Sequence, residues 1–158
     1  MVAKQAGISR TALYRRWNSK EDLYLDVLVK INLPLPELPG RSAYEDVTIV
    51  LARLIERASD QRAGQMFRAL NAEAAAFPEL RRRYYEDVVS PDREIMYEAL
   101  RRGVATGEIR GDLNVSLVSE LLVSPVIARL SRGDLANADP RASAEEIASA
   151  VFAGVTPR

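Results

Sequence analysis

The sequence predicts an all-α protein, a small basic head followed by a larger helical bundle. Three observations carry this. Apolar residues recur at helical spacing through nearly the whole chain, no alternating run of β-branched residues offers a strand, and clusters of glycine and proline divide the chain into helix-length pieces. At 158 residues the chain suits one ordinary domain or a small head on a larger body. An apolar fraction of 47% and a charged fraction of 28% are those of a soluble globular protein.

Composition removes several function classes. The chain has no cysteine and no histidine, which excludes a disulfide framework and a thiolate zinc site, and takes away the commonest general base. No spacing of carboxylates assembles a metal site, so neither metal nor cofactor is expected, and an enzyme is disfavoured. No apolar stretch reaches the roughly 18–20 residues of a membrane span, and a basic-then-apolar leader is absent, which together point to a cytoplasmic protein without a membrane partner. Net charge is zero, yet Lys4, Arg10, Arg15, Arg16 and Lys20 are five cations with no acid among residues 1–20. The remainder holds 17 basic against 22 acidic residues, so a basic head sits on an acidic body. That asymmetry fits a polyanion bound at one end only.

Taken in order, Met1 to Ala6 reads as a short helical piece stopped by Gly7. Ser9 is a good N-cap for the next helix, with Ile8 placed to staple onto Leu13, and Leu13 and Trp17 facing inward. Ser19 caps a further helix with Asp22 in the position of a capping-box acid, and Leu23, Val27, Leu28 and Ile31 form its apolar stripe. Leu33-Pro34-Leu35-Pro36-Glu37-Leu38-Pro39-Gly40 cannot continue a helix. It is expected to be a linker (33–40) between a head (1–32) and a body (41–158). In the body, helices are expected over Ala43 to Ala58 and Arg62 to Ala76. Another restarts at Pro78-Glu79 and runs to about Thr106, closed by Gly107. At Ser90-Pro91 it either begins anew or continues with a kink. Val115 to Ser131 is apolar nearly all round and needs cover on two sides, the second of which a second subunit could supply. Ser143-Ala144-Glu145-Glu146 is read as a capping box opening the last helix.

The head is the chemically specific part. A helix, a glycine turn, and a basic helix whose first turn is small and polar form the pattern of a helix-turn-helix. Residues entering the major groove must be small enough to approach and able to bond base edges. Ser9, Arg10, Thr11 and Ala12 meet that need, with Ala12 suited to a thymine methyl. Tyr14, Arg15 and Lys20 are placed as phosphate contacts, which fix register without reading sequence. Lys20 also lies in the first turn of its helix, where backbone N–H groups favour an anion.

The run Ala3-Lys4-Gln5-Ala6-Gly7-Ile8-Ser9-Arg10-Thr11-Ala12-Leu13-Tyr14-Arg15-Arg16-Trp17-Asn18-Ser19-Lys20-Glu21-Asp22-Leu23 resembles the DNA-binding domain of TetR-family transcriptional regulators. In the body, Glu108-Ile109-Arg110-Gly111-Asp112-Leu113 followed by Leu121-Leu122-Val123-Ser124-Pro125 is similar to one large class of TetR C-terminal domains. The resemblance implies a helix-turn-helix head on a regulatory and dimerisation bundle. It also implies a ligand-responsive repressor that binds double-stranded operator DNA as a homodimer, with a small-molecule effector held inside the body. By that likeness Ser9, Arg10, Thr11, Tyr14, Arg15 and Lys20 touch DNA, while Gly7, Leu13 and Trp17 build the head. A two-fold dimer implies a palindromic operator with recognition helices roughly 34–36 Å apart. Members of the family carry a further helix before the motif, so the head is expected to lack its first helix here. Either the natural N-terminus is missing from the sequence or the chain is a shortened relative. The alternative function is an α-helical ligand-binding or interaction protein that has lost DNA binding.

Phe67, Phe77, Tyr84, Tyr85, Met96 and Tyr97 come from the helices that would surround the effector cavity, and are read as pocket candidates beside the plainer reading as core. Tyrosines there would suit an amphipathic aromatic or polycyclic ligand. Arg81-Arg82-Arg83 reads as a solvated face. Val118, Leu121, Leu122, Pro125, Val126, Ile147 and Val151, from the last two long helices, are the expected dimer contacts.

Overall fold

The computed structural model describes residues 9–32, 34–72, 77–135 and 137–157, without the side chains of Arg10, Leu13, Ile31, Ala63, Phe67, Leu70, Asn71 and Ala72. The helical piece Met1–Ala6, the Gly7 stop, the Ile8–Leu13 staple and the end expected at Ala76 lie outside these residues. The helices are α1 (Arg10–Arg16), α2 (Lys20–Ile31), α3 (Ala43–Ser59), α4 (Gln61–Ala72), α5 (Pro78–Tyr84), a π-helical turn (Tyr85–Val89), α6 (Ser90–Ala105), α7 (Val115–Arg132) and α8 (Pro140–Val155). Among the described residues there is no strand, and the fold is all-α. No described helix is long and apolar enough to cross a membrane, and no described cluster of acids is placed to hold a metal ion.

The amphipathic helix α3 is the centre of the main core. Its Val47, Leu51 and Ile55 are fully enclosed by Met96, Ala99 and Leu100 of α6, Val118, Leu122 and Val126 of α7, and Ala144, Ala148 and Phe152 of α8. Ser42 caps α3 by accepting the Glu45 N–H, and Glu108 from the loop after α6 accepts the Ala43 N–H at 2.8 Å. Two donors that a bare helix start would leave unpaired are thereby satisfied. The proline-rich segment is fastened rather than free. Leu35 and Leu38 pack on the core, and Gly40, at φ 69°, donates its N–H to Asp46, which also pairs with Arg102.

A second, smaller core joins the N-terminal helices to the rest. Leu25 and Leu28 of α2 pack with Leu80 of α5, flanked by Tyr24, Met66, Phe77 and Tyr84. The Tyr24 hydroxyl donates to the Met66 carbonyl at 2.6 Å, and Arg83 of α5 donates to Asp22 of α2 at 2.6 Å. Arg83 is thus taken out of the solvated face read from the Arg81–Arg83 run. Arg82 stays at the surface between Glu79 and Glu86.

Of the two readings left open at Ser90-Pro91 the structure takes the continuous one, whereas the start of the last helix differs from the sequence reading. Ser90 does not begin a new helix: its backbone is helical, at φ −63° and ψ −42°, and its N–H reaches back five residues to the Tyr85 carbonyl. Pro91 has no N–H to return to the turn before it, and the wider π turn absorbs that defect without a break. The last helix opens four residues earlier than a cap at Ser143 would place it. Asp139 caps it, accepting from Arg141 and Ala142, with Pro140 in the first turn. An aspartate cap followed by proline outcompetes the serine box, which lies inside the helix.

Candidate functional site

Helix α1 begins where Ser9 Oγ accepts the Ala12 N–H at 3.0 Å, an N-cap that leaves the first turn presented to solvent. Thr11, Ala12, Tyr14, Arg15 and Arg16 are all exposed, Tyr14 at 62%. No acid lies in the first turn to compete for an anion, and Arg15 and Arg16 close the helix. The Arg10 side chain lies outside the described residues. The helix is oriented from its far end: Trp17 donates its indole N–H to Asp26 of α2 at 3.1 Å, with the Arg16 guanidinium over the indole ring. Ser19 caps α2 by accepting the Asp22 N–H at 2.9 Å.

Lys20 occupies the first turn of α2, as expected. Its ammonium lies 5.6 Å from the ring centre of Phe77, directly before α5, a contact that sequence reading did not find. Beside it, Arg83 holds the Asp22 carboxyl below the ordinary carboxylate range. The cation expected to meet phosphate and the ion pair that ties α2 to α5 therefore share one helix start.

Behind α2 lies a cavity of about 510 Å³. Leu28 of α2 and Asn32 just after it, Val50, Leu54 and Arg57 of α3, Tyr84, Asp92, Met96 and Tyr97 from α5 and α6, and Ser119 and Val123 of α7 contribute to its wall. Of the six pocket candidates, the structure brings Tyr84, Met96 and Tyr97 to this wall. Phe77 packs instead in the small core on α2, Tyr85 is exposed beneath the Arg93 guanidinium, and the Phe67 side chain lies outside the described residues. Tyr97 shares a hydrogen bond with Ser116, and burial together with the negative charge of Asp92 pushes the Tyr84 hydroxyl up to about 12, so it stays protonated at neutral pH.

The sequence reading missed the polar part of the wall. Arg57 is 8% exposed and forms an ion pair with Asp92, and Ser119 is 3% exposed. The available signal was a lone arginine among Leu54, Ile55 and Ala58 and a lone serine between Val118 and Leu122, polar residues on otherwise apolar faces.

Four of the expected dimer contacts are corrected. Val118, Leu122, Val126 and Ile147 are buried in the chain's own core, where they offer nothing to a partner. They form the inward stripes of α7 and α8. Leu121 is 51% exposed and Leu117 52%, whereas Pro125 and Val151 are half-buried.

Residues 40–153 match the tetracyclin repressor-like C-terminal domain, and residues 1–27 match the bacterial regulatory proteins of the tetR family. The chain is similar to the uncharacterized HTH-type transcriptional regulator YdeS of Bacillus subtilis (strain 168), with 25% identity over 132 residues. That alignment covers 82% of this chain, which spans 65% of the relative's length. With the C-terminal match alone covering most of the sequence, the chain belongs to the TetR family of bacterial regulatory proteins.

Proposed function

We propose that this protein is a ligand-responsive repressor that binds a palindromic operator as a homodimer and leaves it when a small molecule enters the cavity. One observation carries the reading: α2 serves both ends of the mechanism. It orients α1 through the Trp17–Asp26 hydrogen bond, and it supplies Leu28, with Asn32 at its C-terminal cap, to the cavity wall. A ligand that fits the cavity better with α2 displaced shifts the population toward that arrangement and moves α1 with it. Reciprocally, operator bound to α1 weakens the ligand.

In this reading Ser9, Arg10, Thr11 and Ala12 read base edges, and Tyr14, Arg15 and Lys20 hold phosphates. Leu117 and Leu121, with Pro125 and Val151, lie on the face that meets the second subunit. The test is to titrate a palindromic duplex from the neighbouring promoter at several salt concentrations. Affinity should fall steeply with salt, and Arg10→Ala should cost about 1–3 kcal/mol and relax base preference at one position. A protein with no preference for the palindrome over random duplex would overturn the regulator reading.

A further inference from the structure

We infer that the cavity takes an uncharged, largely apolar small molecule carrying a carbonyl-type acceptor, received by the Arg57 guanidinium and the Ser119 hydroxyl. For its regulatory meaning this rests on the effector reading of the cavity; the binding chemistry stands on the wall itself.

The volume of about 510 Å³ lies within the range of small-molecule sites. Most of the wall is aliphatic, with Val50, Leu54, Val88, Met96, Val123 and Leu130 among its residues. Its charges cancel: Arg57 and Arg93 stand against Asp92 and Glu120. The two inner charges are already engaged with each other, Arg57 with Asp92, and the Arg93 guanidinium is spread over the rings of Tyr85 and Tyr97 at 5.3 Å each. A ligand carboxylate would enter beside Asp92, and a ligand ammonium beside Arg57, each meeting a like charge where solvent screening is weak. Neither would find an unengaged counter-charge among the inner groups. A neutral molecule incurs neither cost.

Two polar groups of the wall still lack partners. Nε and Nη2 of Arg57 are buried without an acceptor. Ser119, on the apolar face of α7, makes no side-chain hydrogen bond among the described residues. An arginine can only donate, and a serine hydroxyl can donate, so what is missing from the wall is an acceptor. Packing shields the two arginine nitrogens, so an acceptor bonds them once the Arg57 side chain turns into the cavity that it lines. Buried donors of this kind favour a ligand oxygen strongly over a matching hydrocarbon.

The test uses four probes on one skeleton: 2-acetylnaphthalene, 2-ethylnaphthalene, 2-naphthoate and 2-naphthylmethylammonium. Each is titrated calorimetrically into the full chain without DNA, with melting temperature as a second readout. The ketone should bind at least tenfold more tightly than each of the other three. Ser119→Ala and Arg57→Lys, the latter keeping a cation opposite Asp92, should each cut the ketone's advantage over the hydrocarbon below threefold and leave hydrocarbon binding unchanged. Should Arg57→Lys fail to fold, Ser119→Ala decides alone. A tighter carboxylate or ammonium, a ketone indistinguishable from the hydrocarbon, or an advantage that survives the substitutions overturns the inference. Operator titration with the ketone present separates the two readings. Ketone binding that leaves operator affinity unchanged sinks the effector role and keeps the ligand class.

Discussion

Trp17 is the one tryptophan of the chain, and its indole donates to Asp26, which also receives Lys30 at 2.9 Å. The Lys30 ammonium first, and the indole N–H after it, hold the Asp26 carboxyl below its ordinary value of 3.8. A carboxylate with a depressed folded value contributes its stabilisation in full above the unfolded value and loses it as pH falls through the folded one. The hold on α1 should therefore be intact at neutral pH and lost only below pH 3.8. Tryptophan emission followed against pH should show a transition there that Asp26→Asn removes; a midpoint above 3.8 would refute the coupling. At this scale the local devices were legible in the sequence. Ser9 and Ser19 bond groups three residues away, so their spacing alone announces them. Arg57 and Asp92 are 35 positions apart, and no periodicity couples residues at that distance.

Among the helices, the errors came where two good signals competed. Near the start of α8 the sequence offers both Asp139-Pro140 and the Ser143–Glu146 box, and a helix can open only once. The Ser143 N–H bonds the Asp139 carbonyl at 3.0 Å, as an interior residue does, so the serine has no orphan donors to cap. This assigns the capping energy to one side chain. Asp139→Ala should cost about 1 kcal/mol in urea unfolding. Ser143→Ala should stay within about 0.5 kcal/mol of the parent. Equal losses would mean that the helix start is shared. The π turn is a different matter. Ser90-Pro91 announced an irregularity, but the choice between a fresh start and a widened turn depends on what α5 and α6 pack against. Leu80 before it, Val88 within it and Met96 after it are all buried, and tertiary burial keeps the two helices in line.

For the molecule as a whole, composition and helical period were enough to reach an all-α fold and a basic end, because both are properties of sequence averages. They could not divide the surface of α7 into inside and outside. Leu117, Leu121, Leu122 and Val126 are equally apolar in sequence, and only the positions of α3, α6 and α8 decide which of them are covered. Once covered and uncovered faces are separated, the proposed dimer becomes a matter of two opposite predictions on adjacent residues. A two-fold interface is self-complementary, so each substitution on the exposed face acts twice in the dimer. Leu117→Glu with Leu121→Glu removes an apolar patch that the single chain leaves in water, so the protomer's own packing is untouched. This variant should elute as a monomer, keep its helical circular dichroism, and bind the palindrome as weakly as a half-site. Leu122→Ala hollows the protomer's core and should instead lower unfolding stability by about 2–5 kcal/mol, with size unchanged at temperatures where it remains folded. If the double glutamate variant still elutes at the size of the parent, the second subunit, where there is one, sits elsewhere than on this face of α7.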